Sequence, residues 1–120
     1  MSGELKILLV EDEVLTAILM KKKLEKSGYQ VAKSVTTGEH AISAVKEMDM
    51  DIVLMDIRLA GEIDGIEAAE MIQNIRKTPI IFITGYDDTE TKERAETLKP
   101  LAYLNKPVDF AALLSILEDL

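Results

Sequence analysis

No cysteine occurs in this chain, which excludes a disulfide framework and a thiolate metal site and fits a reducing, cytoplasmic setting. Basic charge is also short. The sequence carries 14 Lys and Arg against 22 Asp and Glu, a net charge of −8, so a basic face for direct nucleic-acid binding is not expected. A cation or a basic protein surface is the better-matched partner. No apolar run approaches the length of a membrane span, and Met1-Ser2-Gly3-Glu4 offers neither the basic nor the apolar region of a leader. Repeats, low-complexity tracts and linkers are missing as well. A length of 120 residues then points to one domain, 1–120, built on a single core.

What is present alternates between two kinds of segment. Lys6 to Val10, Asp51 to Ile57 and Ile80 to Ile83 are short apolar runs, the pattern of strands buried on both faces. Gln30 to Val35 alternates instead, which puts Val31, Lys33 and Val35 on one face of a half-exposed strand. Leu101 to Leu104 reads as a fifth, short strand. Between them lie helical patterns. Val14 to Ser27 is stopped by Gly28, and its core face is assigned to Leu15, Leu19, Met20 and Leu24. Thr36 and Glu39 have capping-box spacing ahead of Ala41, Ile42, Ala44, Val45 and Met48. Asp64 opens a helix with core positions Ile66, Ala69, Ile72 and Ile75, and Thr78-Pro79 ends it. Asp88 to Leu98 has only Ala95 and Leu98 to anchor it, and Asp109 caps a last helix with Phe110, Leu113, Leu114 and Leu117 facing inward.

Strict alternation with short connections implies right-handed crossovers, a parallel five-stranded sheet and helices on both faces, an α/β doubly wound fold. Chemistry in such folds gathers at the C-terminal ends of the strands. Those ends carry Glu11 and Asp12, then Asp56, Thr84 and Lys106. Three carboxylates brought together repel unless a cation joins them, and an all-oxygen set suits Mg²⁺ or Mn²⁺ rather than zinc. Asp56 is then a candidate carboxylate nucleophile that takes a phosphoryl group as an acyl phosphate. Lys106 would balance charge on the phosphoryl oxygens and Thr84 would donate a hydrogen bond to one of them.

Five short motifs in order carry a resemblance to a known family: Leu8-Leu9-Val10-Glu11-Asp12-Glu13, Val53-Leu54-Met55-Asp56-Ile57, Asp64-Gly65-Ile66-Glu67, Phe82-Ile83-Thr84-Gly85 and Tyr103-Leu104-Asn105-Lys106-Pro107. From about Lys6 to its end the chain resembles a response-regulator receiver domain of two-component signalling. The resemblance implies a flavodoxin-like sheet of strand order 2-1-3-4-5, the order for which a chemotaxis protein of this family is a standard example. It implies that Asp56 is phosphorylated by a histidine kinase or phosphotransfer protein, without turnover of a separate substrate. It also implies that Glu11, Asp12, Asp56 and the backbone carbonyl of Arg58 hold the metal, and that Thr84 and Tyr103 form a switch pair. The Lys106-Pro107 peptide bond would be cis. Side chains two residues beyond Asp56 and Thr84, here Arg58 and Tyr86, would flank the approach of water to the acyl phosphate. Three positions depart from the family pattern: Glu11 stands where Asp is commoner, Ala60 replaces a proline, and the loop from Asp56 to Gly65 is one residue longer.

Other readings compete. A phosphorylation-independent pseudo-receiver, used only for docking, would share the fold, but such modules usually lose the Asp, Thr or Lys kept here. A haloacid-dehalogenase-type phosphatase would need an acid where Arg58 stands. His40, alone in the first turn of a helix, and Lys21-Lys22-Lys23, which sweep around another, read as solvated surface. Val14 and Ile18, one turn apart beside Asp12, offer a landing point for a helical phosphodonor partner. Ala102 precedes Tyr103 where the DNA-binding members carry Asp for their symmetric dimer face, so a monomer is expected before phosphorylation.

Overall fold

Successive side chains of a strand point to opposite faces, and that period of two sorts the centre of this molecule into two apolar layers. The computed structural model describes residues 5–85 and 88–120. Its strands are β1 (Lys6–Val10), β2 (Gln30–Val35), β3 (Ile52–Asp56), β4 (Ile80–Thr84) and β5 (Ala102–Asn105). Its helices are α1 (Val14–Lys26), α2 (Gly38–Glu47), α3 (Gly65–Ile75), α4 (Thr89–Glu96) and α5 (Phe110–Glu118). All pairings are parallel, in the order β2-β1-β3-β4-β5. Leu8, Val10, Val53, Met55, Ile80 and Phe82 face α2 and α3. Ile7, Leu9, Ile52, Leu54, Ile81 and Ile83 face α1 and α5. Every residue of β3 and β4 is buried. No helix among the described residues is long and apolar enough to cross a membrane.

The starts of α2, α3, α4 and α5 are set by short polar side chains. Asp64 accepts from the backbone N–H of Glu67 at 2.8 Å while Glu67 accepts from that of Asp64 at 2.9 Å, a complete capping box. Asp88 and Asp109 cap α4 and α5 in the same sense. At α2 the expected box does not form. Thr37, one residue later than anticipated, is the cap and accepts from His40 N–H at 3.1 Å. Glu39 is thereby released to accept from Glu62 N–H at 3.1 Å, across the loop that follows β3.

Three further expectations are corrected. Pairing of β1 with β2 slips at Ala32, so that Ile7 faces Val31 and Leu8 faces Lys33. This bulge turns Val31 toward α1 and α5 but Val35 toward the opposite layer, so the two do not share a face. In α1 the core residues are Ala17, Met20 and Leu24; Leu15 and Leu19, assigned to the core from sequence, are 76% and 59% exposed. Met48 and Ile75, each at or just past a helix end, are also exposed.

Candidate functional site

Strands β1, from Ile7 on, and β3 are apolar and buried until they emerge from the sheet, and each releases an acid there. Glu11 follows β1 and Asp56 ends β3, and both are buried. With the half-buried Asp12, each offers one carboxylate oxygen within 4.8 Å of the others. The ammonium of Lys106, one residue past β5, lies 2.8 Å from Glu11 Oε1 and 3.0 Å from Asp56 Oδ2. Residues 95 and 50 positions apart in the chain thus meet in one ion-paired cluster, as the topology required. Glu13 stands 3.7 Å from the same ammonium, a third carboxylate that the predicted ligand set omitted although it belongs to the same acidic run.

Backbone donors complete the pairing. Arg58 N–H donates to Asp56 Oδ1 at 3.3 Å, and Glu13 N–H donates to Glu11 Oε2 at 3.1 Å. Burial raises the Glu11 carboxyl above its ordinary value; the bonds from Lys106 and Glu13 N–H pull it partly back, and the neighbouring Asp56 pushes it up again. Lys106 moves the same way for a different reason. Burial alone would lower the ammonium, but its bonds to Glu11 and Asp56 outweigh that and leave it raised.

Thr84 ends β4 with its side chain fully buried, one residue beyond the Ile83 that pairs with Asp56. Its carbonyl accepts from Lys106 N–H at 2.8 Å. Tyr103 is half-buried on β5, with its ring tilted against Phe82 at 6.5 Å between centroids and the Lys92 ammonium 5.8 Å from its centre. The Lys106-Pro107 bond is cis, as anticipated. Exposed Arg58 lines a cleft of about 290 Å³ with Asp12, Glu13, Asp56, Gly85 and Lys106. Tyr86, the other residue expected beside this cleft, lies outside the described residues.

Two further features fix the backbone that follows Asp56. Gly65 N–H donates to the carbonyl of Ile57 at 2.8 Å, and a β-carbon at Gly65 would run into the carbonyl of Asp56. The long loop between them is tied to the start of α2 by a bridge between Thr37 and Ala60 and by the Glu39 carboxylate, which accepts from Glu62 N–H and would crowd any β-carbon at Gly61, where φ is +99°. Neither tie had a local sequence signal, because both join segments more than twenty residues apart.

The donor set fits a hard divalent cation. Three carboxylates converge without a sulfur or imidazole ligand, and their separations suit a small ion that keeps some of its waters. Mg²⁺ is therefore expected to raise the thermal unfolding midpoint. An Asp12→Ala variant should be at least as stable as the parent without metal, since one repelling charge is gone, and should lose the Mg²⁺ response. Thermal unfolding followed by circular dichroism tests both points; an unchanged Mg²⁺ response would remove Asp12 from the ligand set.

The chain is similar to known proteins in sequence and fold. The family model for the response regulator receiver domain matches residues 7–118. The transcriptional regulatory protein PdtaR of Mycobacterium tuberculosis is 30% identical over 94% of this chain and 55% of its own length. ZraR of Salmonella typhimurium, also named a transcriptional regulatory protein, is 36% identical over 97% of this chain and 26% of its own. The chain thus spans about half, or about a quarter, of these relatives. Among solved structures, the receiver domain of a modulated diguanylate cyclase from Desulfovibrio desulfuricans superposes with a TM-score of 0.89 at 38% identity, covering 95% of this chain and 90% of that one. A CheY-like receiver domain protein from Methanospirillum hungatei gives 0.89 at 27%, covering 96% and 91%.

Proposed function

Because this chain belongs to the response regulator receiver domain family, we propose that it takes a phosphoryl group onto Asp56 from a histidine kinase or phosphotransfer protein and switches conformation when it does so. The observation that carries this reading is the single ammonium, Lys106, set between the Asp56 and Glu11 carboxylates beside Asp12. In the transfer, an Asp56 oxygen bonds to phosphorus as the bond from phosphorus to the donor imidazole nitrogen breaks, and the imidazole leaves with that electron pair. Glu11, Asp12, Asp56 and the Arg58 carbonyl would hold Mg²⁺, or Mn²⁺ in its place. When bound, the ion neutralises charge on the phosphoryl oxygens.

The chain's own groups do the rest. Lys106 can exchange its contact with the Asp56 carboxylate for one with a phosphoryl oxygen, and its charge is retained in the exchange. Thr84, at the end of the adjacent strand, would turn its hydroxyl to another oxygen, and Tyr103 would follow into the space released. The donor would land on Val14 and Ile18, both exposed beside Asp12. Receiver domains of this kind are signalling modules, so no separate substrate turnover is expected. A protein reader of the switched surface fits the net charge of −8 better than nucleic acid does, and a cytoplasmic site of action fits the absence of cysteine.

The deciding experiment is incubation with a small phosphodonor and Mg²⁺ followed by intact mass measurement. The parent should gain one phosphoryl group and an Asp56→Asn variant none. A parent that gains nothing, while folded and metal-bound, would favour the docking-module reading. The lifetime of the phosphorylated form is open to a second test. Arg58 is bulky, lines the cleft and cannot act as a base near neutral pH. It should hinder the attack of water, so phospho-Asp56 is expected to decay several-fold faster in an Arg58→Asn variant, read by mass spectrometry over time at fixed Mg²⁺. Equal decay rates would clear Arg58 of that role.

A further inference from the structure

Between Asp56 and Gly65 the chain leaves the sheet beside the acidic cluster and returns to begin α3. The excursion is closed at its neck by the bond from Gly65 N–H to the Ile57 carbonyl at 2.8 Å. Leu59 and Ile63 are half-buried and pack against the core, but Ala60, Gly61 and Glu62 between them are exposed. A tip of three exposed residues gains little from apolar packing. It is held instead by α2. Ala60 bridges to Thr37, and Glu39 Oε2 accepts from Glu62 N–H at 3.1 Å. Glu39 Oε1 lies 2.8 Å from where a β-carbon on Gly61 would stand, and Gly61 has φ +99°, so only glycine leaves the carboxylate its place without strain. One side chain of α2 thus spans the tip, with one oxygen against Gly61 and the other bonded to Glu62.

The same loop reaches the acidic cluster through Arg58. Its N–H donates to Asp56 Oδ1 at 3.3 Å, and its carbonyl stands among the groups expected to hold Mg²⁺. A shift of the loop would therefore act on two of those groups at once, by turning the Arg58 carbonyl and by releasing one oxygen of Asp56. We propose that Glu39 is a positioning residue for the cation: by fixing the tip of the loop it keeps the Arg58 backbone in place for the metal, without being a ligand itself. The proposal rests on the cation-binding reading of Glu11, Asp12 and Asp56. With the tie broken the fold would stand, held by Leu59, Ile63 and the neck. The tip would sample more conformations, and the cation would have to order them again on binding, so the cost falls on affinity.

Coupling of this kind is reciprocal. If the tie tightens the grip on the cation, the cation tightens the tie by the same factor, and the Glu62 N–H should exchange with solvent more slowly once Mg²⁺ is bound. A negative charge on Glu39 would also favour a nearby cation through space, with no positioning involved. The two explanations part at Glu39→Gln. Glutamine lacks the charge but keeps a carbonyl oxygen that can accept from Glu62 N–H, so it retains the tie. Alanine loses both.

Mg²⁺ titration of the full chain, followed by amide NMR, tests this without any phosphorylation. Shifts of the Asp56 and Arg58 amides give the affinity, and solvent exchange of the Glu62 amide reports the tie. Glu39→Ala should weaken Mg²⁺ binding about fivefold, while Glu39→Gln should stay within about twofold of the parent, the scale of one hydrogen bond to an exposed group. Saturating Mg²⁺ should slow exchange at Glu62 in the parent and in Glu39→Gln, and leave it nearly unchanged in Glu39→Ala. Glu39 is exposed, and circular dichroism would establish that both variants remain folded. Equal weakening in the two variants overturns the proposal in favour of charge acting through space. Parent-like affinity in Glu39→Ala overturns it in favour of Leu59 and Ile63 as sufficient anchors. A parent whose Asp56 and Arg58 amides do not respond to Mg²⁺ removes the cation-binding reading, and the proposal falls with it.

Discussion

A Gly65→Ala variant is expected to lose about 3 kcal/mol of stability, because the added methyl group has no room. The added carbon would meet the carbonyl oxygen and carbon of Asp56 and the α-carbon of Ile57. All three belong to backbone held by parallel pairing of β3 with β4 and by the bond from Gly65 N–H to the Ile57 carbonyl. A side chain in the way could rotate aside, but this backbone cannot. Alanine is the better helix former by about 1 kcal/mol, which is too little to reverse the sign, particularly at the first residue of α3. Urea unfolding would give the stability difference, and Mg²⁺ titration of the folded fraction should show weakened binding, since Asp56 would be displaced. A stability within about 0.5 kcal/mol of the parent would mean that α3 can slide away from β3 at little cost.

Removing the charge of Lys106 while keeping most of its stem, as Lys106→Met does, should cost about 2 to 3 kcal/mol near neutral pH. Breaking a fully buried pair is the usual source of such losses, and the lower part of the range applies because the Lys106 side chain retains 22% exposure. What remains is two buried carboxylates facing one another with no ammonium between them. The sign with pH follows from the direction of each shift. Glu11 is raised in the folded chain, so its contribution is complete below about 4.5 and is lost as pH rises through its folded value. Without Lys106 one of the bonds that pulls it down is gone, and that loss should extend further toward neutrality. The gap between parent and variant should therefore narrow on acidification and widen on return to neutral pH, read from urea midpoints. Lys106 itself is raised, so its stabilising contribution in the parent persists below about 10.5 and fades only as alkaline pH passes its folded value. Added Mg²⁺ should recover part of the variant's deficit. A gap independent of pH would mean that these carboxylates do not depend on Lys106.

Much of this was legible in the sequence because the sheet is buried on both faces. A strand such as Ile80 to Ile83 has no solvent side to disguise it, and the strands in order fix where Glu11, Asp56 and Lys106 must meet. The same simplicity failed at α1. Five large apolar residues, Val14, Leu15, Ile18, Leu19 and Met20, encircle the helix, and periodicity alone cannot say which arc faces the sheet. The small residue Ala17 marks the true arc, because close approach to the sheet favours a short side chain there. At α2, Thr36 and Thr37 both offer a hydroxyl, and the choice between them is made by the bridge from Thr37 to Ala60, which no local pattern encodes. Gly65 reads locally as a helix start; its proximity to Asp56 is a property of how α3 returns over β3.

The bulge at Ala32 has a bearing on solubility. An outermost strand with regular hydrogen-bonding groups is a template on which a foreign strand can grow, the first step toward aggregation. Here β2 forms one such margin of the sheet. Its slip at Ala32 interrupts the regular spacing of donors and acceptors and twists the strand away from a straight line. Gln30, Lys33 and Ser34 are exposed along it, and Lys33 is held by Glu47 at 3.0 Å. An incoming strand would have to match a broken register and bury a lysine. The margin is poorly suited to sheet extension.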